Sequence, residues 1–138
     1  MIHRAANEDD LDLLAIWNKQ LIEDEGHDNS MTVAQLRERM SEWLKADYQV
    51  IVFSKTSAPS AYVVFRDSDD HIYLRQFFVD RLQRRCGIGK EALAILKNRI
   101  LPHSKSVRLE VMAWNRKGLA FWKASGFSPR YIGMELKR

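Results

Sequence analysis

The chain has 138 residues, of which 46% are hydrophobic and 29% charged, with a formal net charge of +4. That length suits one domain around one core, residues 1–138, and that balance excludes a disordered or fibrous chain. No apolar run follows a basic segment in MIHRAANEDD, and no stretch approaches the roughly 20 apolar residues of a membrane span, so neither a secretory leader nor a membrane partner is expected.

The lone cysteine, Cys86, has no partner for an internal disulfide, which fits a reducing cytoplasm. No Cys/His cluster has metal-ligand spacing, so no metal is expected. Charge is unevenly spread. Residues 1–30 hold eight acids and two bases, whereas residues 31–138 hold ten acids and twenty bases. Two surfaces with different partners are implied, the basic one suited to a nucleic acid or a small polyanion. No basic-aromatic motif of a nucleic-acid reader is present, which favours the small polyanion.

Taken in order, MIHRAA reads as a short strand. Asn7 with Asp10 caps a helix whose apolar stripe is Leu11, Leu14, Trp17 and Leu21, fading at the polar loop EDEGHDNS. Thr32 and Gln35 form a capping box, with Met31 and Leu36 as a staple, ahead of a second stripe through Leu36, Met40, Trp43 and Leu44. YQVIVFSK, SAYVVFRD and HIYLRQFFVD are β-branched and aromatic, separated by the turn segments SAPS and DSDD. GIGKEALAILKNRI returns to helical spacing and ends before Pro102. SVRLEVMAWN reads as a strand, Asn115 caps a short helix that Gly126 stops, and RYIGMELKR reads as a last strand. The order βααβββαβαβ gives an α/β (α+β) fold with a mixed, mostly antiparallel sheet and helices on both faces.

RRCGIGK, Arg84 to Lys90, is the most informative stretch. Two glycines at a helix start, each costing about 1 kcal/mol relative to alanine within a helix, imply backbone N–H groups that approach something closely. Three cations around them imply that it is an anion. A P-loop is excluded, because Arg84 and Glu91 stand where its first glycine and its hydroxyl residue belong. The dinucleotide pattern G-x-G-x-x-A does match Gly87, Gly89 and Ala92, with Glu110 21 residues past Gly89, and it stands as an alternative. Its weakness is context, since seven residues separate Val79 from Gly87.

Val79, Arg84, Gly87 and Gly89 also resemble the V-x-P-x-x-[QR]-x-x-G-x-[GA] signature of the GNAT superfamily of N-acetyltransferases, with Arg81 where proline is common. Leu109, Val111, Asn115, Gly126 and Phe127 resemble that family's second block, L-x-V-x-x-x-N-x-x-A-x-x-x-Y-x-x-x-G-F. Gly118 replaces its alanine and Trp122 its tyrosine. The resemblance implies a sheet of six to seven strands with about four helices, acetyl-CoA as cosubstrate, and direct acetyl transfer to a primary amine of a small molecule or peptide in a ternary complex.

It further implies that Arg84, Arg85, Cys86, Gly87, Ile88, Gly89 and Lys90 wrap a pyrophosphate. Phe77, Phe78 and Val79 would pair with the pantetheine arm through their backbone, the Val79 N–H stabilising an oxyanion, while Asn115, Phe121 and Trp122 line the arm's other side. Glu110 matches the glutamate of an LEV motif that serves as base in ribosomal-protein alanine acetyltransferases of this superfamily. A base is useful because an ammonium of pKa about 10.4 is about 4.6 kcal/mol short of its neutral form at pH 7. With no tyrosine at Trp122, either Tyr131 or water protonates the departing thiolate, or it leaves unprotonated and is neutralised later; a domain that binds acetyl-CoA without catalysis is the alternative. The acidic loop bearing Glu23, Glu25, His27 and Asp28 would favour a small cationic acceptor. A monomer or a homodimer fits this size.

Overall fold

A computed structural model describes residues 1–138. Five strands form one sheet in the order β1 (Ile2–Ala5), β2 (Gln49–Ser54), β3 (Ala61–Ser68), β4 (His71–Val79) and β5 (Ser106–Arg108). Neighbours are antiparallel except β4 and β5, which run parallel across the crossover helix α3 (Ile88–Ile95). A single parallel pair in an otherwise antiparallel sheet is not the doubly wound sheet that the dinucleotide pattern requires, so that alternative is corrected here.

Both expected helix caps form, each as a capping box. Asn7 accepts from Asp9 N, and Asp10 Oδ2 reaches back to Asn7 N at 2.8 Å. One turn later α1 begins (Leu11–Glu25). Thr32 and Gln35 exchange the same pair of bonds at the start of α2 (Val33–Lys45). These two helices cover one face, burying Leu14, Trp17, Met40 and Trp43 against Val52, Tyr62, Val64 and Phe78. Helix α3 covers the other, where Ile88, Ala92 and Leu93 meet Phe53, Val63, Phe65 and Leu74. Strand β3 is buried on both faces from Ala61 to Phe65, hence its unbroken apolar run. Full burial of side chains the size of Phe53 or Phe78 contributes about 1.5–3 kcal/mol each.

Two expected strands are corrected. SVRLEVMAWN pairs with β4 only at Ser106, Val107 and Arg108, opposite His71, Ile72 and Tyr73. RYIGMELKR forms no strand, and Tyr131, Ile132, Met134 and Leu136 are exposed, so the sheet has five strands rather than six or seven. Strand propensity is realised only where a partner edge and a face to bury exist, and this segment has neither. The early divergence of β5 has a local cause. The β3–β4 register jumps from Val64↔Gln76 to Phe65↔Leu74, leaving Arg75 as a bulge just past the last β4–β5 pair. A bulge bends its strand and increases its twist, so β4 turns away from β5 beyond Tyr73.

Helix α1 runs further than its stripe indicates and ends at Gly26, φ +63°, in a left-handed cap. The Gly26 carbonyl accepts from Trp114 Nε1 at 3.0 Å, tying the end of α1 to the segment before α4 (Arg116–Ala124). A Cβ at Gly26 would lie 3.0 Å from the same nitrogen. Gly26→Ala is therefore expected to lower stability by about 1–2 kcal/mol, read as a lower urea midpoint with an unchanged slope.

Candidate active site

Where β4 and β5 separate, a small cleft of about 40 Å³ opens, lined by Glu25, Leu74, Arg75, Gln76, Phe77, Leu109, Glu110 and Trp122. Its β4 wall is a free strand edge. Asp80 N donates to Ser60 O at 2.9 Å, so alternation along the antiparallel ladder directs the N–H and C=O of Phe78 to β3. Those of Phe77 and Val79 then face the cleft side. Consistent with this, Val79 O accepts from Arg84 Nε at 3.0 Å, outside the ladder. The Phe78 side chain is core, stacked on the α1 face near Trp17 and Tyr62. Phe77 lies on the opposite face with Phe121 and Trp122, ring centroids 6.0 and 5.6 Å away.

Beyond β4, Asp80 caps a single turn, Arg81–Gln83, by accepting from Leu82 N at 3.1 Å. The chain then loops through Arg85, φ +66°, and Gly87, φ +74°, into α3. Among the hydrogen bonds of the chain, no backbone N–H from Arg84 to Lys90 donates to a protein acceptor, and the first helical bond is Glu91 N to Gly87 O at 3.0 Å. An open row of amides at a helix start suits an oxyanion. A Cβ at Gly87 would meet nothing within 4 Å, whereas one at Gly89 would touch Val79 Cγ2 at 3.4 Å and Phe121 at 3.6 Å. Gly87 thus supplies the backbone conformation, while a Cβ at Gly89 would make only ordinary contacts with β4 and α4. Ile88 is buried under the loop, and Cys86 is exposed with its thiol 3.6 Å from Arg84 O.

The three expected cations divide. Arg85 and Lys90 are exposed and form no ion pair, while Arg84 Nη2 is 2.7 Å from Asp24 Oδ2. Asp24 also takes Arg81 at 2.8 Å, and these two guanidiniums outweigh burial to hold its carboxyl below the usual range. Arg84 therefore brings to the loop mainly its backbone, its side chain binding loop to helix.

The acidic segment divides in the same way. Glu23 is 3.8 Å from Arg81, and His27 and Asp28 are exposed, His27 Nδ1 accepting from Asn29 N at 3.0 Å. Only Glu25, the last residue of α1, lines the cleft. Burial, aided by the neighbouring Asp24, pushes its carboxyl above the ordinary glutamate range. Glu110 accepts from Tyr73 Oη at 2.9 Å rather than pairing with an arginine. Burial, and then that bond, push the Tyr73 hydroxyl up to about 12.

Asn115 caps α4 by accepting from Gly118 N at 3.0 Å, and a Cβ at Gly118 would lie 2.4 Å from Asn115 Nδ2, which accounts for glycine there. Phe121 and Trp122 meet edge to face at 4.9 Å. Tyr131 is exposed and is not among the cleft residues. Sequence reasoning missed Tyr73, Arg75 and Gln76. Their alternation was visible, but the bulge that puts Arg75 and Gln76 side by side was not.

Comparison with known proteins agrees with this geometry. The model of the Acetyltransferase (GNAT) family matches residues 12–127. Among solved structures, a mutant BH1408 protein from Bacillus halodurans is 21% identical, with a TM-score of 0.83 over 100% of this chain and 99% of that one. A possible acetyltransferase from Clostridium difficile 630 is 21% identical, with a TM-score of 0.79 over 99% and 96%. An aminoglycoside 6'-N-acetyltransferase, AAC(6')-IG from Acinetobacter haemolyticus, is 13% identical, with a TM-score of 0.78 over 100% and 98%. Comparison with curated protein sequences gave no match. With the split sheet, the amide-lined loop and a family match over most of its length, the chain belongs to the GNAT acetyltransferase family.

Proposed function

We propose that residues 1–138 form a single acetyltransferase domain that moves an acetyl group from acetyl-CoA to a primary amine of a small acceptor, by direct attack within a ternary complex. The observation that carries this reading is the run of unclaimed N–H groups from Arg84 to Lys90, placed at the end of the open β4 edge. The diphosphate would lie on those amides, with Arg85 and Lys90 adding charge. The pantetheine arm would extend along Phe77 and Val79, against Phe121 and Trp122. The Val79 N–H would face the thioester carbonyl and stabilise the negative charge that develops there. AAC(6')-Iy, which shares this fold with a TM-score of 0.78, has been solved with CoA.

The acceptor arrives as an ammonium ion, and the two cleft carboxylates, Glu25 and Glu110, suit it. Glu110 takes the proton, directly or through water, and the neutral amine attacks. The thiolate is protonated from water, since Trp122 N–H is no usable acid. No helix is long and apolar enough to cross a membrane. The exposed Cys86 thiol fits a reducing cytoplasm.

Thermal shift followed by thiol detection tests the reading. Acetyl-CoA at saturation, about a hundred times its Kd, should stabilise the fold by about 2.7 kcal/mol, and NAD should not. Amine-dependent release of free thiol should follow. Absence of any acetyl-CoA shift would refute it, and binding without thiol release across a broad amine panel would favour a sensor instead.

A further inference from the structure

On the α2 side of the bulge, three arginines share two aromatic rings. Arg39 and Arg75 lie 4.5 and 4.8 Å from the Trp43 ring centroid. Arg66 and Arg75 lie 5.2 and 5.6 Å from that of Tyr48, and Arg66 is also 5.2 Å from Tyr73. The ion pairs of the chain engage Arg4, Arg37, Arg81 and Arg84, and none includes Arg39, Arg66 or Arg75. Their hydrogen bonds go to neutral groups: Arg75 to Tyr48 Oη at 2.9 Å, Arg39 to Asn18 Oδ1 at 3.2 Å, and Arg66 to Ser68 Oγ at 3.2 Å.

Each guanidinium has five donors, so most remain unused. Arg39 Nε is buried with no acceptor at all. Like charges gathered over shared rings repel, and burial together with the Arg75 charge already lowers the pKa of Arg39. Such a stack lacks a counter-ion. The rings hold the guanidiniums in place, and a planar fork matches an oxyanion better than a mobile lysine would.

Arg75 is the residue that links this stack to the reaction site, because it also lines the cleft with Glu25 and Glu110. From this juxtaposition of two carboxylates and an unneutralised arginine stack, we propose that the acceptor is zwitterionic: its amine meets Glu25 and Glu110, and an oxyanionic group, carboxylate or phosphate, meets Arg75 with Arg39 and Arg66 behind it. The inference rests on the acetyl-transfer reading above and narrows its acceptor from any small cationic amine to one that also carries an anionic group.

Matched acceptors test it: cadaverine against lysine and tyramine against tyrosine for the carboxylate arm, ethanolamine against phosphoethanolamine for the phosphate arm. The expected result is an advantage of about tenfold or more in kcat/KM for the anionic member of at least one pair. In Arg75→Gln that ratio should collapse towards one, and Arg75→Lys should restore only part of it, since charge without the fork gives single-point contact. Calorimetric binding of the same pairs to the CoA-loaded protein reads the preference without turnover, so failure of catalysis is separable from failure of this inference. Equal or better use of the members that lack the anionic group overturns it. So does an advantage that survives Arg75→Gln, or no detectable binding of any anionic member at millimolar concentration.

Discussion

Gly87→Val is expected to weaken acetyl-CoA binding by about 10- to 100-fold while leaving the protein folded. Gly87 has φ +74°, in a region that a β-branched residue enters only under strain of about 1–3 kcal/mol. The chain can relieve that strain by reshaping the loop, because a side chain there meets nothing within 4 Å. Relief rotates the neighbouring N–H groups away from a common focus. The loss should therefore appear in the Kd measured by calorimetry and hardly at all in the urea midpoint. Gly89→Ala is the control, since its Cβ would make ordinary contacts with Val79 and Phe121 and should leave affinity nearly unchanged. Full affinity in Gly87→Val would remove the amide loop from the binding site.

The second large effect is expected at the two carboxylates. Glu110→Gln should lower kcat by about 10²-fold or more with acetyl-CoA affinity intact, the usual range for loss of a positioned base. Glu25→Gln should act differently. The Glu25 carboxyl is raised above its ordinary value by burial and by Asp24, so it takes up a proton as pH falls at a higher pH than a solvated glutamate of pKa about 4.3 would. Protonation removes the charge that attracts the ammonium. The wild-type kcat/KM should then decline on the acid side, beginning above the ordinary glutamate range, and Glu25→Gln should flatten that limb while lowering the plateau. A profile from roughly pH 5 to pH 8 decides the matter. An unchanged acid limb in Glu25→Gln would assign it to another group.

Much of this architecture was legible in the residues. Asn7 with Asp10 and Thr32 with Gln35 announce helix starts because each side chain answers a free N–H, a local requirement that tertiary context rarely alters. Leu14, Trp17, Met40 and Trp43 announce their buried faces by spacing alone. The glycine loop was legible for the same reason: glycine at a helix start points to a backbone need. What escaped is what depends on neighbours. Strand signal in SVRLEVMAWN and RYIGMELKR is a statement about side chains, and whether an edge lies within reach is decided elsewhere, here by the bulge at Arg75. The position of Glu25 followed from α1 continuing to Gly26, and polar residues in EDEG hid that continuation. The arginine stack joins residues from α2, β3 and β4, a proximity that no local pattern records.

A row of bare strand groups is ordinarily a hazard, because it invites another molecule to zip alongside and seed a growing ribbon. In this protein the outward-facing groups of Phe77 and Val79 lie past the last β4–β5 pair, where Phe121 and Trp122 pack beside Phe77 and Arg84 Nε occupies the Val79 carbonyl. A slender thread can lie along that short stretch and take up its free N–H groups. The early end of β5 thus gives a slender ligand access to main-chain donors of β4.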